Sequence, residues 1–257
     1  MNRRLATPTV TSLAIILACT GAHAGRLAFD AAENLFVASG HSVFKYTRDR
    51  TRTSLATGLR YPLGLSFDGK GNLFVSDGRV IDAPNQRAIL KFSPDGTKSI
   101  FAAGISSGGM AFDRSGSLLV SQGDSILEFD AAGAKSVFAS GLGNPIDLAV
   151  DGAGNLFVVN TAVSDARIGR AILKFSPDGS KSTFATGLEA PSALAAGANG
   201  AVYVGEATAP DNSSHAILKF SPDGMRSALS SALGANGASS LAVIVQAMFL
   251  CGTATPF

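Results

Sequence analysis

Short apolar runs, each ended by Gly, Asp, Asn or Pro, recur along most of the chain. The clearest run is AILKFSPDG, which occurs unchanged at residues 88–96, 171–179 and 216–224. Degenerate copies begin at residues 42 and 125, so the five copies follow one another at intervals of 37 to 46 residues. Repeats of this length are typical of a propeller or a solenoid.

Each repeat contains four apolar pieces of four to seven residues, which are too short to compete as helices. In the second repeat they read LSFD, NLFVSD, AILKF and SIFAAGI. Turn residues separate the pieces. In Ser93-Pro94-Asp95-Gly96, Pro sets φ for a type I turn and Gly accepts the positive φ that follows. The pattern predicts a four-stranded antiparallel meander, the unit of a propeller blade, with an open solenoid as the alternative.

We therefore predict an all-β chain, a β-propeller of four-stranded antiparallel blades with five full repeats and a partial sixth. The predicted blades span residues 25–62, 63–107, 108–145, 146–191 and 192–236, followed by the partial blade 237–257. In the partial blade, residues 240–243 match the first strand of the repeat and residues 248–253 match the second. Ile244 stands where the repeat has its turn Asp.

The first 24 residues are organised like a secretory signal peptide. Arg3 and Arg4 precede a short apolar segment at 13–18, and Ala22-His23-Ala24 has the pattern of a cleavage site. A core helix is the alternative, and the segment is shorter than the ~20 apolar residues of a membrane span. We expect a secreted or periplasmic bacterial protein. A lipid anchor on Cys19, in the sequence ILAC, is a second possibility for this segment.

Charge and cysteine content narrow the classes of partner. Two of the 21 Lys and Arg residues lie in the predicted signal peptide, so the rest of the chain carries as many basic as acidic residues. This balance argues against nucleic acid or an anionic membrane as a partner. Cys251 is the one cysteine after residue 24, so no internal disulfide is expected. We expect a monomer without a membrane span.

The residues of the second repeat are also those of a known pattern. The stretch 67–77 reads FDGKGNLFVSD, and Ile-x-Lys-Phe with a turn follows it. This pattern resembles NHL repeats and the propellers of the SMP-30/gluconolactonase/LRE-like group, over essentially all of the chain after residue 24. The resemblance implies a propeller. Because such propellers include lactonases, lyases and interaction modules, it does not imply one activity.

Lactonases of that group hold a divalent metal, often calcium, through a Glu near the first strand and through Asn or Asp just before the Gly that opens an inner strand. The matching positions here are Leu63, Gly108, Ile146 and Ser192. Leu, Gly and Ile have no side-chain oxygen for a hard cation.

Two acidic residues near this pattern are misplaced. Asp147 lies one residue away, and Glu33 lies in a hairpin turn at the opposite end of its blade. We therefore predict no metal site and no cofactor. A lyase of the virginiamycin-inactivating type would need catalytic His, and after residue 24 only His41 and His215 remain, without a His–Glu–His arrangement.

The connections between second and third strands are the remaining candidates for a site. They are long in blades two, four and five, and long loops on a rigid scaffold commonly carry binding. The candidate ligand-binding residues are the strand-end residues Asp77, Gln122, Asn160 and Glu206 and the loop residues Arg87, Arg170 and His215. The alternative is structural, because strand-end side chains also bond to loop N–H groups and loop tips are often merely solvated.

Three functions remain open from the residues. The first is an exported, non-catalytic module that binds a protein, peptide or sugar ligand at the face with the long loops. The second is a calcium-dependent hydrolase of the lactonase type with a non-standard site that uses Asp77, Asn160 and Glu206. The third is a fragment of a longer surface protein without an activity of its own.

Overall fold

The computed structural model describes residues 15–18, 27–49, 51–78, 87–105, 108–162, 170–197, 199–207, 215–233 and 241–244. Within these ranges every regular element is a β-strand. The same ranges contain no helix long and apolar enough to cross a membrane. The predicted cleavage site, residues 248–253 and most of each long loop lie outside the described residues.

Five four-stranded antiparallel blades follow one another along the chain, as the repeat predicts. Blade one contains β2 (Leu27–Phe29), β3 (Leu35–Ser39), β4 (Ser42–Tyr46) and β5 (Arg52–Ala56). Blade two contains β6 (Pro62–Phe67), β7 (Leu73–Asp77), β8 (Ala88–Phe92) and β9 (Lys98–Ala103). Blade three contains β10 (Met110–Phe112), β11 (Leu118–Gln122), β12 (Ser125–Phe129) and β13 (Lys135–Ala139). Blades four and five contain β14 (Pro145–Val150), β15 (Leu156–Asn160), β16 (Arg170–Phe175), β17 (Lys181–Leu188), β18 (Ala190–Ala196), β19 (Val202–Ala207), β20 (His215–Phe220) and β21 (Arg226–Leu233).

A two-stranded sheet lies where the partial sixth blade is predicted. Its strand β22 (Leu241–Ile244) lies beside β18 of blade five and β2 of blade one, the position of an inner strand. Its antiparallel partner is β1 (Ile15–Ala18), with Ile15 opposite Ile244. The predicted partner, residues 248–253, lies outside the described residues. β1 belongs to the segment that the sequence marks as a signal peptide, a function that stays a prediction.

The repeated Asp and Asn of the FDxxGN pattern close the inner hairpins. Asp68 Oδ1 accepts the N–H groups of Lys70 and Asn72 at 2.9 and 2.8 Å, and its Oδ2 accepts Asn72 Nδ2 at 2.6 Å. Asp151 and Asn155 repeat this arrangement in blade four. Because one carboxylate satisfies three donors, the turn is locked without any contact outside its blade. The pattern is thus a folding signal.

The core lies between blades rather than within them. Each of the four apolar clusters combines residues of two adjacent blades, since a single sheet has no partner for either of its faces. Two Lys residues of the AILKF repeats, Lys91 and Lys174, lie over rings of these clusters. Lys91 Nζ is 5.8 Å from the Phe74 centroid, and Lys174 Nζ is 5.9 Å from the Phe157 centroid.

Inner strands of neighbouring blades approach most closely at Gly109, just before β10. A Cβ built on Gly109 would be 2.8 Å from Asp147 Cα and 2.9 Å from both Ile146 O and Ser121 Oγ. Backbone atoms cannot rotate away as a side chain can. Blades three and four can therefore meet at this distance only because residue 109 has no side chain.

We expect Gly109→Ala to lower the free energy of unfolding by about 2–3 kcal/mol, because the new methyl forces two blades apart. Gly69→Ala is the matched control, since a Cβ at Gly69 meets nothing within 4 Å. Urea denaturation of both variants measures the difference. Equal stability of the two variants would contradict the close approach of blades three and four.

Candidate functional site

The end of the propeller where second strands stop and third strands begin is called here the loop face. In the three blades with long loops, the second strand carries Asp77, Asn160 or Glu206 there, as its last residue in blades two and four and as its last but one in blade five. All three side chains are buried, with exposed fractions of 2, 2 and 1%. Buried polar groups at an otherwise open face require partners.

Each of these side chains binds the backbone of the loop that enters its own blade. Asp77 Oδ1 accepts the N–H groups of Arg60 at 3.1 Å and Tyr61 at 2.8 Å. Asn160 Oδ1 accepts the N–H of Asn144 at 3.0 Å, and Glu206 Oε2 accepts the N–H of Glu189 at 3.2 Å. The three residues therefore cap blade entries, as the structural alternative predicts. No described contact joins them to one another.

Proline is the sequence signal that accompanies the caps. Pro62, Pro145 and Pro191 lie opposite Asp77, Asn160 and Glu206 in the strand register. Pro has no N–H to donate to the neighbouring strand. The side chain opposite it instead accepts the N–H of a residue one or two positions before the Pro. Blades one and three have no such Pro. Their second strands end in Ser39 and Gln122, which are exposed.

The other predicted ligand residues do not converge. Gln122, Arg87 and Arg170 are exposed on the loop face of blades three, two and four. His215 opens β20 of blade five, and its side chain lies outside the described residues. Residues 79–86, 163–169 and 208–214 of the long loops are also outside them. Among Gln122, Arg87 and Arg170, no described contact joins one side chain to another.

Glu206 is an acid of the loop face whose pKa is shifted by its surroundings. Its Oε1 lies 3.1 Å from the guanidinium of Arg226, which reaches it from the outer strand β21. Burial raises the pKa of the Glu206 carboxyl, and the N–H of Glu189 and the charge of Arg226 oppose that rise. Because both oxygens have partners, the carboxyl group is held within blade five rather than left open to a ligand.

Calcium, which the family resemblance implies, does not fit the residues present. Leu63, Gly108 and Ile146 offer no side-chain oxygen. The Ser192 hydroxyl lies 3.4 Å from Gly205 O, to which it donates. The carboxylate of Asp147 turns to the next blade, where its Oδ2 accepts the N–H of Leu194 at 2.8 Å. Among the described residues no group of three or more His, Cys, Asp or Glu side chains could hold a metal.

A cluster that the sequence analysis did not single out lies where blade one meets blade two. His41 Nδ1 is 2.9 Å from Leu59 O and 3.1 Å from Arg60 O. Since both partners are carbonyls, Nδ1 carries the proton and donates it, which leaves Nε2 as the basic nitrogen. The His41 side chain is exposed, and no other described residue bonds to Nε2.

Arg60 and Tyr61 complete this cluster. Asp77 holds both of their N–H groups, and the Gly78 N–H donates to Tyr61 O at 2.9 Å. The backbone of the pair is thus fixed while the side chains remain accessible, with the Tyr61 ring 62% exposed. The Arg60 cation and the Tyr61 ring thus follow one another on a fixed segment, and the His41 imidazole is bonded to the carbonyls at residues 59 and 60. The only sequence signal was a His in a two-residue connection, too common to be specific.

Comparison with known proteins shows which solved structures share the fold of this chain. No family model and no curated protein matches the sequence. A gluconolactonase from Xanthomonas campestris is 18% identical with a TM-score of 0.68, over 88% of this chain and 82% of that one. Virginiamycin B lyase from Staphylococcus aureus is 12% identical with a TM-score of 0.60, over 85% and 74%. The calcium-binding protein regucalcin from Agrobacterium tumefaciens is 13% identical with a TM-score of 0.58, over 81% and 75%.

The fold is that of the gluconolactonase-like β-propellers. The resemblance stated from the repeat is confirmed at the level of architecture. At these identities the gluconolactonase-like fold carries no site residue over to this chain, so the loop face has to be interpreted from its own contacts.

We expect Glu206→Gln to change how stability depends on pH. The folded-state pKa of Glu206 is raised above its ordinary value of 4.5, so proton binding favours the folded state. The wild type should gain stability relative to the variant below about pH 4.5 and lose that gain as the pH rises through the raised pKa. Urea midpoints from pH 3.5 to 8 measure it, with Glu128→Gln in blade three as control. A constant difference across that range would contradict the raised pKa.

Proposed function

We propose that this protein is a hydrolase of the lactonase type that opens a small sugar lactone at the His41–Arg60–Tyr61 cluster of the loop face. The observation that supports it is the likeness of fold to a gluconolactonase over 88% of the chain. The cluster adds a basic nitrogen, an exposed cation and an exposed ring at that face.

Each residue of the cluster has a role in the proposed reaction. His41 Nε2 takes a proton from water, whose oxygen attacks the lactone carbonyl carbon. Arg60 stabilises the negative charge that develops on the carbonyl oxygen. The ring C–O bond then breaks, and the imidazolium returns its proton to the departing oxygen, which gives a hydroxy acid. Tyr61 offers its exposed ring as a surface for the sugar.

Asp77 is a positioning residue in this scheme. Its carboxylate holds the N–H groups of Arg60 and Tyr61, and the carbonyl of Arg60 in turn faces His41 Nδ1 at 3.1 Å. The site thus differs from the calcium-dependent alternative suggested by the sequence, in which Asp77, Asn160 and Glu206 themselves hold the metal. The side-chain oxygens of these three residues already accept backbone N–H groups, so the proposed reaction does not use calcium.

A non-catalytic ligand-binding module is the second candidate. It is favoured by the same capping contacts, because they leave three of the polar strand-end residues without a free oxygen for chemistry. In that case the cluster binds a sugar acid or lactone without turning it over. The two candidates share a ligand class and differ in hydrolysis.

We expect the full chain to hydrolyse glucono-δ-lactone with EDTA present, and His41→Ala to lower kcat/KM about 100-fold, as loss of a general base does. Acid release in a pH-stat, corrected for spontaneous opening, measures the rate. Arg87→Ala is the control, because Arg87 is an exposed loop-face cation outside the cluster.

Other outcomes discriminate the candidates. Saturable binding of gluconate without hydrolysis would favour the binding module. Hydrolysis that requires calcium, or that survives His41→Ala, would contradict the proposed site. A cooperative thermal melt of each variant excludes unfolding as the cause of any loss.

A further inference from the structure

Aromatic rings fill the space between adjacent blades at the end of the propeller opposite the loop face, here called the turn face. Four positions contribute at each contact between blades, here called a seam. Between blades two and three, seam 2/3, all four are Phe, namely Phe74, Phe101, Phe112 and Phe129. Phe74 meets Phe101 and Phe112 edge-on at centroid distances of 4.9 Å, and Phe101 lies 5.9 Å from Phe129.

The seam between blades three and four, seam 3/4, lacks two of these rings. Leu119 stands at the position of Phe74, and Val150 stands at that of Phe112, while Phe138 and Phe175 remain, with centroids 5.5 Å apart. A cleft of about 300 Å³ lies here, with Leu119, Phe138, Val150 and Phe175 in its wall. The other seam shows which group suits such a space, because a phenyl ring packs edge-on against the equivalent Phe residues there.

A cation marks the rim of this cleft. Arg114 lines the cleft and crosses the seam, where its Cδ would be 3.0 Å from a Cβ on Gly154. It is exposed and forms no ion pair with a described residue. The equivalent residues of the other blades that begin a described seam are Ala31, Gly69 and Gly152. The guanidinium is thus particular to seam 3/4.

Three carboxylates lie near and have to be weighed. Asp178 stands between the lining residues Pro177 and Gly179, and its Oδ1 accepts the Ser180 N–H at 2.9 Å. Asp113 lines the cleft, but its Oδ1 accepts the Ser117 N–H and the Ser115 hydroxyl, both at 2.8 Å. Glu128 lies opposite Leu119 in the strand register and is not part of the cleft wall. The bonds to Asp113 offset part of its charge, so Arg114 is the group at the rim that is left to pair with an anion.

We propose that the cleft of seam 3/4 binds a small aryl carboxylate. Its ring occupies the space left by the two missing Phe rings, against Phe138 and Phe175, and its carboxylate pairs with Arg114. The site lies on the turn face, so it is separate from the proposed reaction at the loop face and does not depend on it.

Seam 1/2, between blades one and two, provides an internal control. It has an equivalent cleft of about 330 Å³ that includes Leu55 and Phe92. The position of Arg114 is Ala31 there. The cation at the rim, Lys45, is already paired with Asp30 at 3.8 Å. A similar apolar cleft without a free cation should not select an anion.

Phenylacetate is the probe, and saturation-transfer NMR titration on the full chain is the measurement. We expect saturable binding that Arg114→Ala weakens about tenfold or more. The same variant should leave binding of 2-phenylethanol, the neutral analogue, within about twofold. If Arg114 only supported the fold of the cleft, Arg114→Ala would weaken the binding of both probes equally.

Filling the cleft tests its location. Val150→Phe and Leu119→Phe each restore the residue found at the same position of seam 2/3, so they should fold and abolish phenylacetate binding. Leu55→Phe fills the cleft of seam 1/2 instead and should leave binding unchanged. Absence of saturable binding to the wild type, binding that survives both filling variants, loss of binding in Leu55→Phe, or a preference for 2-phenylethylamine would overturn the proposal.

Discussion

Packing of one blade against the next is the interaction on which the rest of this structure depends. A four-stranded sheet has two faces, and in this chain both are buried only by neighbouring sheets. Phe side chains occupy all four equivalent positions of the seam between blades two and three and two or three of them at the other described seams, and their edge-on contacts replace a central core. The close approach at Gly109 has the same origin, because a ring of blades brings the inner strands nearest to one another.

The same constraint explains why the two ends of the propeller differ. At the turn face, each Asp and Asn lock their own hairpin, so the turns are independent of the rest of the fold. At the loop face, the chain must leave one blade and enter the next. A Pro and a buried Asp, Asn or Glu fix that entry in blades two, four and five. Polarity at the loop face is therefore first a requirement of the fold, and the proposed reaction uses exposed groups such as His41 instead.

Divergence among the repeats is where specificity can arise. Blade three departs most from the others, with Leu119 for Phe, Glu128 for Lys and Arg114 for a small residue. These changes remove one ring and one cation–π pair from a seam. They add the guanidinium of Arg114, which forms no ion pair with a described residue. Between blades five and one, β22 takes an inner position with β1 as its partner, which places an N-terminal and a C-terminal strand together.

The sequence by itself determined the blade. Strand length, the FDxxGN hairpin and the SPDG turn act within about ten residues, so their chemistry is readable from AILKFSPDG and its neighbours without any tertiary contact. At positions where the family resemblance implies calcium ligands, it places Leu63 and Ile146, whose side chains have no oxygen wherever they lie. Only the tertiary structure decided what the polar residues do. Whether Asp77 faces a ligand or the N–H of Tyr61, and whether His41 Nδ1 meets a carbonyl, depends on segments about 16 to 19 residues apart that come together only when the strands of a blade pair. Seam packing joins positions that no local pattern relates, because the distance between blades is set by the ring as a whole.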